Sequence, residues 1–238
     1  MNKISERIKR VEENICSACS RSGRERSEVN LVVVTKSASF EAILEVLKLG
    51  ITEFGENRVQ QLKKVASQLL DTFKDRDPEI LRKINWHMIG HLQRNKVRQV
   101  LSSVSLIHSV DTLRLAEEIN AGAKKLNLRP KILLQVNTSN EPQKYGVPVG
   151  AAIHLAEQFE TLHNVELVGL MTMGPLTLDK NVVRSCFSRA AELFYEIKGE
   201  KIVGPRFAQL SMGMSSDYEI AVEEGATILR IGSAIFAG

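Results

Sequence analysis

Long apolar runs are missing from this chain of 238 residues. No stretch approaches the roughly 18 uninterrupted apolar residues of a membrane-spanning helix, so neither a membrane span nor a membrane partner is expected. A strong charge of one sign is missing too. Lys and Arg number 32 and Asp and Glu 28, a net of +4. So mild an excess suits anionic small ligands and does not by itself call for nucleic acid. With 43% hydrophobic residues, disorder is excluded. The N-terminal MNKISERIKRVEENICSACS is no secretory leader, because Glu6, Glu12 and Glu13 interrupt any apolar core.

Cysteine is scarce, three in all. That fits a reducing compartment, and a cytoplasmic location is expected. Cys16 and Cys19 form a C-x-x-C on an amphipathic helical pattern. No strand precedes them and no second pair completes four ligands, so neither a redox motif nor a zinc site is expected. Cys186 is expected in the core of another helix. Proline is scarce as well, and no Pro- or Ser-rich linker divides the chain. Length alone allows one or two domains; one domain over 1–238 is expected.

What is present is a regular alternation. Short β-rich apolar runs occur at Leu31–Lys36, Glu53–Asn57, Trp86–Gly90, Leu106–Val110, Lys131–Asn137, Glu166–Met173, Gln209–Gly213 and Thr227–Gly232. Between them, apolar residues recur at spacings of three and four over Phe40–Leu49, Arg58–Leu70, Arg94–Leu101, Thr112–Leu126, Val149–Thr161, Val182–Ile197 and Tyr218–Glu224. Gly50 and Gly225 are placed as helix stops, Ser39 and Asp111 as N-caps. Alternating strands and helices demand parallel strands and right-handed crossovers. Eight units in this length point to a (β/α)8 TIM barrel. An open doubly wound sheet is the runner-up, but no G-x-G-x-x-G follows the first strand. An extra N-terminal helix, Ile4–Ser20, is expected on the barrel exterior or across its bottom.

In such a barrel, chemistry sits where the strands end. The first strand delivers Lys36. Burial lowers a lysine's pKa, which suits a Schiff-base nucleophile, although a lysine snorkelling from the mouth fits equally. The second strand delivers Glu56 and Asn57, the third His87 and Gly90, the fifth Gln135 and Asn137, the sixth Thr172 between Met171 and Met173. His87 and His91 have a metal-like spacing, but they straddle a strand end without convergent carboxylates, so no metal is expected. The basic run Arg94–Arg98 reads as a solvated helix face, not a nucleic-acid contact.

The last two strands carry the strongest signal. SMGMSSD, Ser211–Asp217, and RIGS, Arg230–Ser233, follow them. Glycine lets backbone amides approach an anion and serine adds donors, so a phosphate at these two loops is favoured over two ordinary turns. Arg230 shares a face with Gly232, deeper in the mouth. An aldehyde at one end and a phosphate at the other describe pyridoxal 5′-phosphate; a sugar-phosphate aldolase substrate fits as well.

The chain resembles the pyridoxal phosphate homeostasis protein family, formerly the proline synthetase co-transcribed homologues. The resemblance rests on VVVTKSAS around Lys36, FGENRVQQL around Asn57, WHMIGHLQRNK around His87, GLMTMGP around Met171, and LSMGMSSDYEIAVEEGATILRIGSAIF from Leu210 to Phe236. It implies the barrel of the N-terminal domain of alanine racemase, the fold type III of pyridoxal phosphate proteins. It also implies that Lys36 carries the cofactor covalently as an internal aldimine, that Ser211, Gly232 and Ser233 contact phosphate, that Arg230 faces the pyridine nitrogen and that Asn57 lines the ring. Gly213, Ser215 and His87 carry over more weakly. Ser233 departs from a common threonine but keeps the hydroxyl. The loop Asn137–Val147 departs from the usual glycine-containing form, with Lys144 and Tyr145 expected near the pocket.

The resembling racemases add a second domain and a tyrosine base from a dimer partner. A lone barrel with an arginine at the ring nitrogen is expected to bind and deliver the cofactor, with no efficient amino-acid turnover. Apoenzymes are the expected recipients and a monomer the expected state. The alternative is a weak racemase or a Schiff-base aldolase on the same barrel.

Overall fold

The β-branched run NLVVV forms the first strand, β1 (Asn30–Val34), with four of its five side chains buried. Burial on both faces is the mark of a parallel strand covered by helices. Seven more follow in a computed structural model that describes residues 3–139, 141–200 and 202–237. They are β2 (Glu53–Glu56), β3 (Asn85–Met88), β4 (Leu106–Val110), β5 (Lys131–Asn137), β6 (Glu166–Met171), β7 (Gln209–Ser211) and β8 (Ile228–Ile231). Each pairs in parallel with the next, and β8 returns to β1, closing the barrel. A two-residue strand, Val147–Pro148, pairs with the end of β5; the sequence reading does not contain it.

The helices are α1 (Lys3–Arg21), α2 (Phe40–Lys48), α3 (Val59–Phe73), α4 (Pro78–Lys83), α5 (Leu113–Leu126), α6 (Ala152–Glu160), α7 (Lys180–Gly199), α8 (Tyr218–Glu223) and α9 (Ser233–Phe236). Several boundaries differ from expectation by one to three residues, and three differences bear on the site or the caps. Arg94–Gln99 is a 3-10 helix and not an α-helix. The N-cap of α5 is Thr112, whose hydroxyl accepts from Leu115 N at 3.3 Å, not Asp111. Lys36 lies two residues beyond β1, not within it. Ser39 does cap α2, accepting from Ala42 N.

The outward strand faces pack on the helices. Leu31, Val33, Phe54, Trp86 and Ile231 join Ile15, Leu62, Ile119 and Phe187 in one continuous core. Truncating one such side chain to alanine costs about 2–5 kcal/mol. A smaller apolar cluster fills part of the barrel interior: Val32, Leu106, Leu133, Val168, Met171 and Ile228. α1 packs on the exterior. Arg7 donates to Ile235 O, Asn14 to Tyr218 OH, and Arg21 pairs with Glu219 and Glu223. It lies against α8 and α9. Among the described residues no helix is long and apolar enough to cross a membrane.

Candidate functional site

Lys36 leaves β1 at the end where the strands finish, and its side chain is exposed. Beside it lies a cavity of about 200 Å³ lined by Val34, Lys36, Ser37, Gly232, Ser233, Phe236 and Ala237. Lysine at one wall and the turn after β8 at the other are thus brought together across β1 and β8. The approach is close: a Cβ on Gly232 would meet Val34 O at 3.0 Å. The turn after β7 completes this corner. Ser215 Oγ accepts from Gly232 N at 3.3 Å and from Ala234 N at 3.1 Å. Ser215 thus caps both amides at the start of α9, while Gly232 and Ser233 line the cavity itself; backbone amides and hydroxyls of this kind are the donors an anion uses.

The loop after β7 owes its course to Gly213, at φ +91°. Its carbonyl accepts from Arg230 N at 3.0 Å, which ties the loop to β8. Asp217 holds the far side, its Oδ1 accepting from Met214 N at 2.6 Å. Burial pushes the Asp217 carboxyl above its ordinary value.

Arg230 is the central group. It pairs with Val32 across β8 and β1, and Val32 faces the barrel interior. The Arg230 side chain therefore points inward, below Gly232 on the same face. It is 4% exposed. Its Nη1 donates to Ser211 Oγ at 2.5 Å and its Nη2 to Thr172 O at 2.8 Å. Among the described residues no carboxylate forms an ion pair with it. Burial brings its pKa down to about 10, with Asp217 pulling the other way, so it stays cationic at neutral pH.

The remaining expected residues divide. Asn57 sits in the loop after β2, backbone against backbone with the loop after β3. A Cβ on Gly90 would fall 2.3 Å from Asn57 O. Ser211, expected at the phosphate, is fully buried, and its Oγ meets Arg230 and His108. His87 is buried too, its Nδ1 2.8 Å from His108 Nε2 and its Nε2 2.7 Å from Glu53 Oε2. Both ring nitrogens are taken inside the barrel, away from the cavity beside Lys36. His91 is elsewhere, stacked on Tyr145 with ring centroids 4.4 Å apart. Lys144 donates to Gly174 O at 2.7 Å, bracing the loop after β5 against that after β6. Asn140, in the departing loop, lies outside the described residues.

Sequence reasoning missed His108, Glu53 and Asp217. A histidine at the centre of LIHSV, two residues from the interior Leu106, is the signal that was there. Glu56 was seen only as a mouth residue. It is fully buried and shares the outward face of β2 with Phe54. Thr35 donates to its Oε1, while among the described residues Oε2 has no hydrogen-bond partner. Burial pushes this carboxyl above its ordinary value.

A family model, alanine racemase N-terminal domain, matches residues 7–238. The pyridoxal phosphate homeostasis protein of Aquifex aeolicus is 41% identical over 231 residues, 97% of this chain and 96% of that one. Its counterpart in Vibrio cholerae is 36% identical, covering 99% of this chain and 96% of that one. PipY of Synechococcus elongatus, solved with PLP bound, superposes with a TM-score of 0.80 at 33% identity, covering 95% of this chain and 100% of that one. An alanine racemase of Clostridium difficile superposes at 0.71 with 13% identity, covering 99% of this chain and 56% of that one, which speaks for the fold alone.

Proposed function

The chain belongs to the pyridoxal phosphate homeostasis protein family, and from that premise we propose that it binds pyridoxal 5′-phosphate, holds it covalently through Lys36 and serves its homeostasis in the cell without efficient amino-acid turnover. One observation carries this reading: a buried guanidinium beneath a mouth whose cavity is lined by an exposed lysine on one side and the Gly232–Ser233 turn on the other. Each feature matches one end of that molecule. When bound, the group would supply an aldehyde that condenses reversibly with a primary amine and releases one water.

The roles of the residues follow from their chemistry. The Lys36 amine, unpaired among the described residues, is free to attack. Gly232, Ser233 and Ser215 hold the phosphate, and Gly213 sets the loop that brings them together. Arg230 has only donors, so it keeps a ring nitrogen in its acceptor form and weakens the electron sink. Asn57 lines the ring. Ser211 and His87 act from below, through Arg230. Besides Lys36 itself, the cavity is lined by Val34, Ser37, Gly232, Ser233, Phe236 and Ala237. None of those six moves a proton at neutral pH, and racemisation needs a second acid–base group. The site is suited to holding and releasing, with apoenzymes in the cytoplasm as recipients and the whole of 1–238 acting as one monomeric domain.

Borohydride reduction of the loaded protein, followed by digestion and mass mapping, tests the attachment. A reduced adduct on the Lys36 peptide is expected; an adduct on another lysine, or trapping only of a sugar phosphate, contradicts it. α-Proton exchange of amino acids in D2O tests turnover. Exchange at an enzymic rate of roughly 1 s⁻¹ or more would make it a racemase.

A further inference from the structure

The hydrogen bonds beneath Arg230 do not stop at Ser211. They continue across the barrel to the opposite mouth, and donor and acceptor roles can be assigned along the whole path. Register puts every member on the inner face. His87 pairs with Leu106, and His108 lies two residues beyond Leu106, which faces inward. Ser211 pairs with the inward Ile228. Glu53 precedes Gly55 by two, and Gly55 pairs with His87. The contacts run from Arg230 Nη1 to Ser211 Oγ at 2.5 Å, to His108 Nδ1 at 2.9 Å, to His87 Nδ1 from His108 Nε2 at 2.8 Å, and from His87 Nε2 to Glu53 Oε2 at 2.7 Å.

Arginine can only donate, so Ser211 Oγ accepts from it. The Ser211 proton then has one acceptor at hand, His108 Nδ1. A neutral His108 carries its own proton on Nε2 and gives it to His87 Nδ1. A neutral His87 that accepts at Nδ1 carries its proton on Nε2 and gives it to Glu53. The carboxylate accepts only, and it is held as one: Asn85 Nδ2 donates to its other oxygen at 2.6 Å. Every bond points from the guanidinium to the carboxylate.

We infer that Glu53, His87, His108 and Ser211 form a positioning relay, in which a carboxylate at one mouth of the barrel orients and balances the buried Arg230 guanidinium beneath the other. The part of this that concerns a bound cofactor rests on the reading of Arg230 given above. The electrostatics agree. Burial opposes the Glu53 charge, but bonds from His87, Asn85 and Asn30 outweigh it and hold the carboxyl below its ordinary value. Burial, with the Arg230 charge adding to it, holds the His108 pKa well below its ordinary value and keeps the ring neutral. Among the described residues, charged groups stand at both ends of the relay. Lys131 of β5 and Arg206, itself paired with Glu166, line the opening of about 450 Å³ where Glu53 meets solvent. Asp217 faces Arg230 at the other end. Dipoles aligned in one direction strengthen one another in a low dielectric, so the carboxylate's influence is carried further than through water.

Two measurements test the relay. Imidazole ¹⁵N NMR on the full chain without cofactor should show the Nε2–H tautomer at both His87 and His108. A proton on Nδ1 of either ring overturns the inferred order. The second is a pH titration of the visible band of the protein loaded with pyridoxal 5′-phosphate. Glu53→Gln removes a negative charge and should lower the band's midpoint by roughly half a pH unit. In a His108→Asn background the same change should have less than half that effect, because the path is cut. No shift, or an equal shift in both backgrounds, overturns the relay. A parent without any visible band refutes cofactor binding and the relay's link to it, whereas the tautomers still decide the order within the barrel.

Discussion

Replacing Gly213 by alanine separates two kinds of cost. Gly213 has φ +91°, a conformation that costs an L-residue about 1–2 kcal/mol. Gly225, with φ +97°, carries the same cost, but a Cβ there meets nothing within 4 Å. At Gly213 a Cβ would fall 2.5 Å from Ala221 Cβ, 3.0 Å from Leu229 Cδ2 and 3.1 Å from Tyr218 Cα. Two of those atoms belong to α8 and one to β8, so relief requires moving elements rather than a side-chain tip. Overpacking of that kind adds about 1–3 kcal/mol. Gly225→Ala should therefore lose about 1–2 kcal/mol and Gly213→Ala about 2–5 kcal/mol. At about 2–4 °C per kcal/mol for a chain of this size, calorimetry should place the melting point of Gly213→Ala clearly lower of the two. Relief by displacement of the loop would pull the Gly213 carbonyl from Arg230 N and carry Ser215 off the Gly232 and Ala234 amides. Gly213→Ala should thus also bind pyridoxal 5′-phosphate more weakly, while Gly225→Ala binds as the parent does. Equal melting points in the two variants would refute the packing estimate, and unchanged affinity in Gly213→Ala would refute the loop's role.

Other perturbations act through protons and caps. Glu56 keeps a proton in the fold that the unfolded chain releases above about pH 4.3, so stability falls as pH rises through that window. The neutral Glu56→Gln should gain melting temperature over the parent as pH rises above about 4.3, and a pH-independent difference counts against this. His108 refuses in the fold a proton that the unfolded chain takes up below about pH 6.5. Its stabilisation is complete above that pH and is lost on acidification by up to about 1.4 kcal/mol per pH unit. His108→Asn should flatten the stability profile between pH 6.5 and 5; a parallel profile excludes His108 as its source. Ser215→Ala removes the acceptor of two amides and should cost about 1–2 kcal/mol in denaturant titrations without cofactor. An unchanged midpoint would show that water replaces the hydroxyl without loss.

The barrel was legible because its strands are apolar on both faces and its helices are periodic. β4 and β5 match the sequence reading to the residue. What escaped is short or cooperative. α4 has six residues and a polar composition, although Asp77 caps it and Pro78 opens it. The cap of α5 moved from Asp111 to Thr112 because both residue types accept equally well in sequence and only the backbone geometry chooses. Residues at strand ends, Lys36, Asn57 and Gly232, were legible because each is placed by its own strand. The path under Arg230 was not. His87 lies 34 residues from Glu53 and 21 from His108, and Ser211 lies 103 from His108. Only the stagger of strands around a closed barrel brings them into line, and no local pattern encodes that stagger.

The most direct test is the visible absorption spectrum of the protein loaded with pyridoxal 5′-phosphate and freed of excess, beside a Lys36→Ala variant treated alike. A yellow band in the parent that is absent from the variant is expected. A parent that stays colourless, or a variant with the same band, would contradict covalent holding of the cofactor at Lys36.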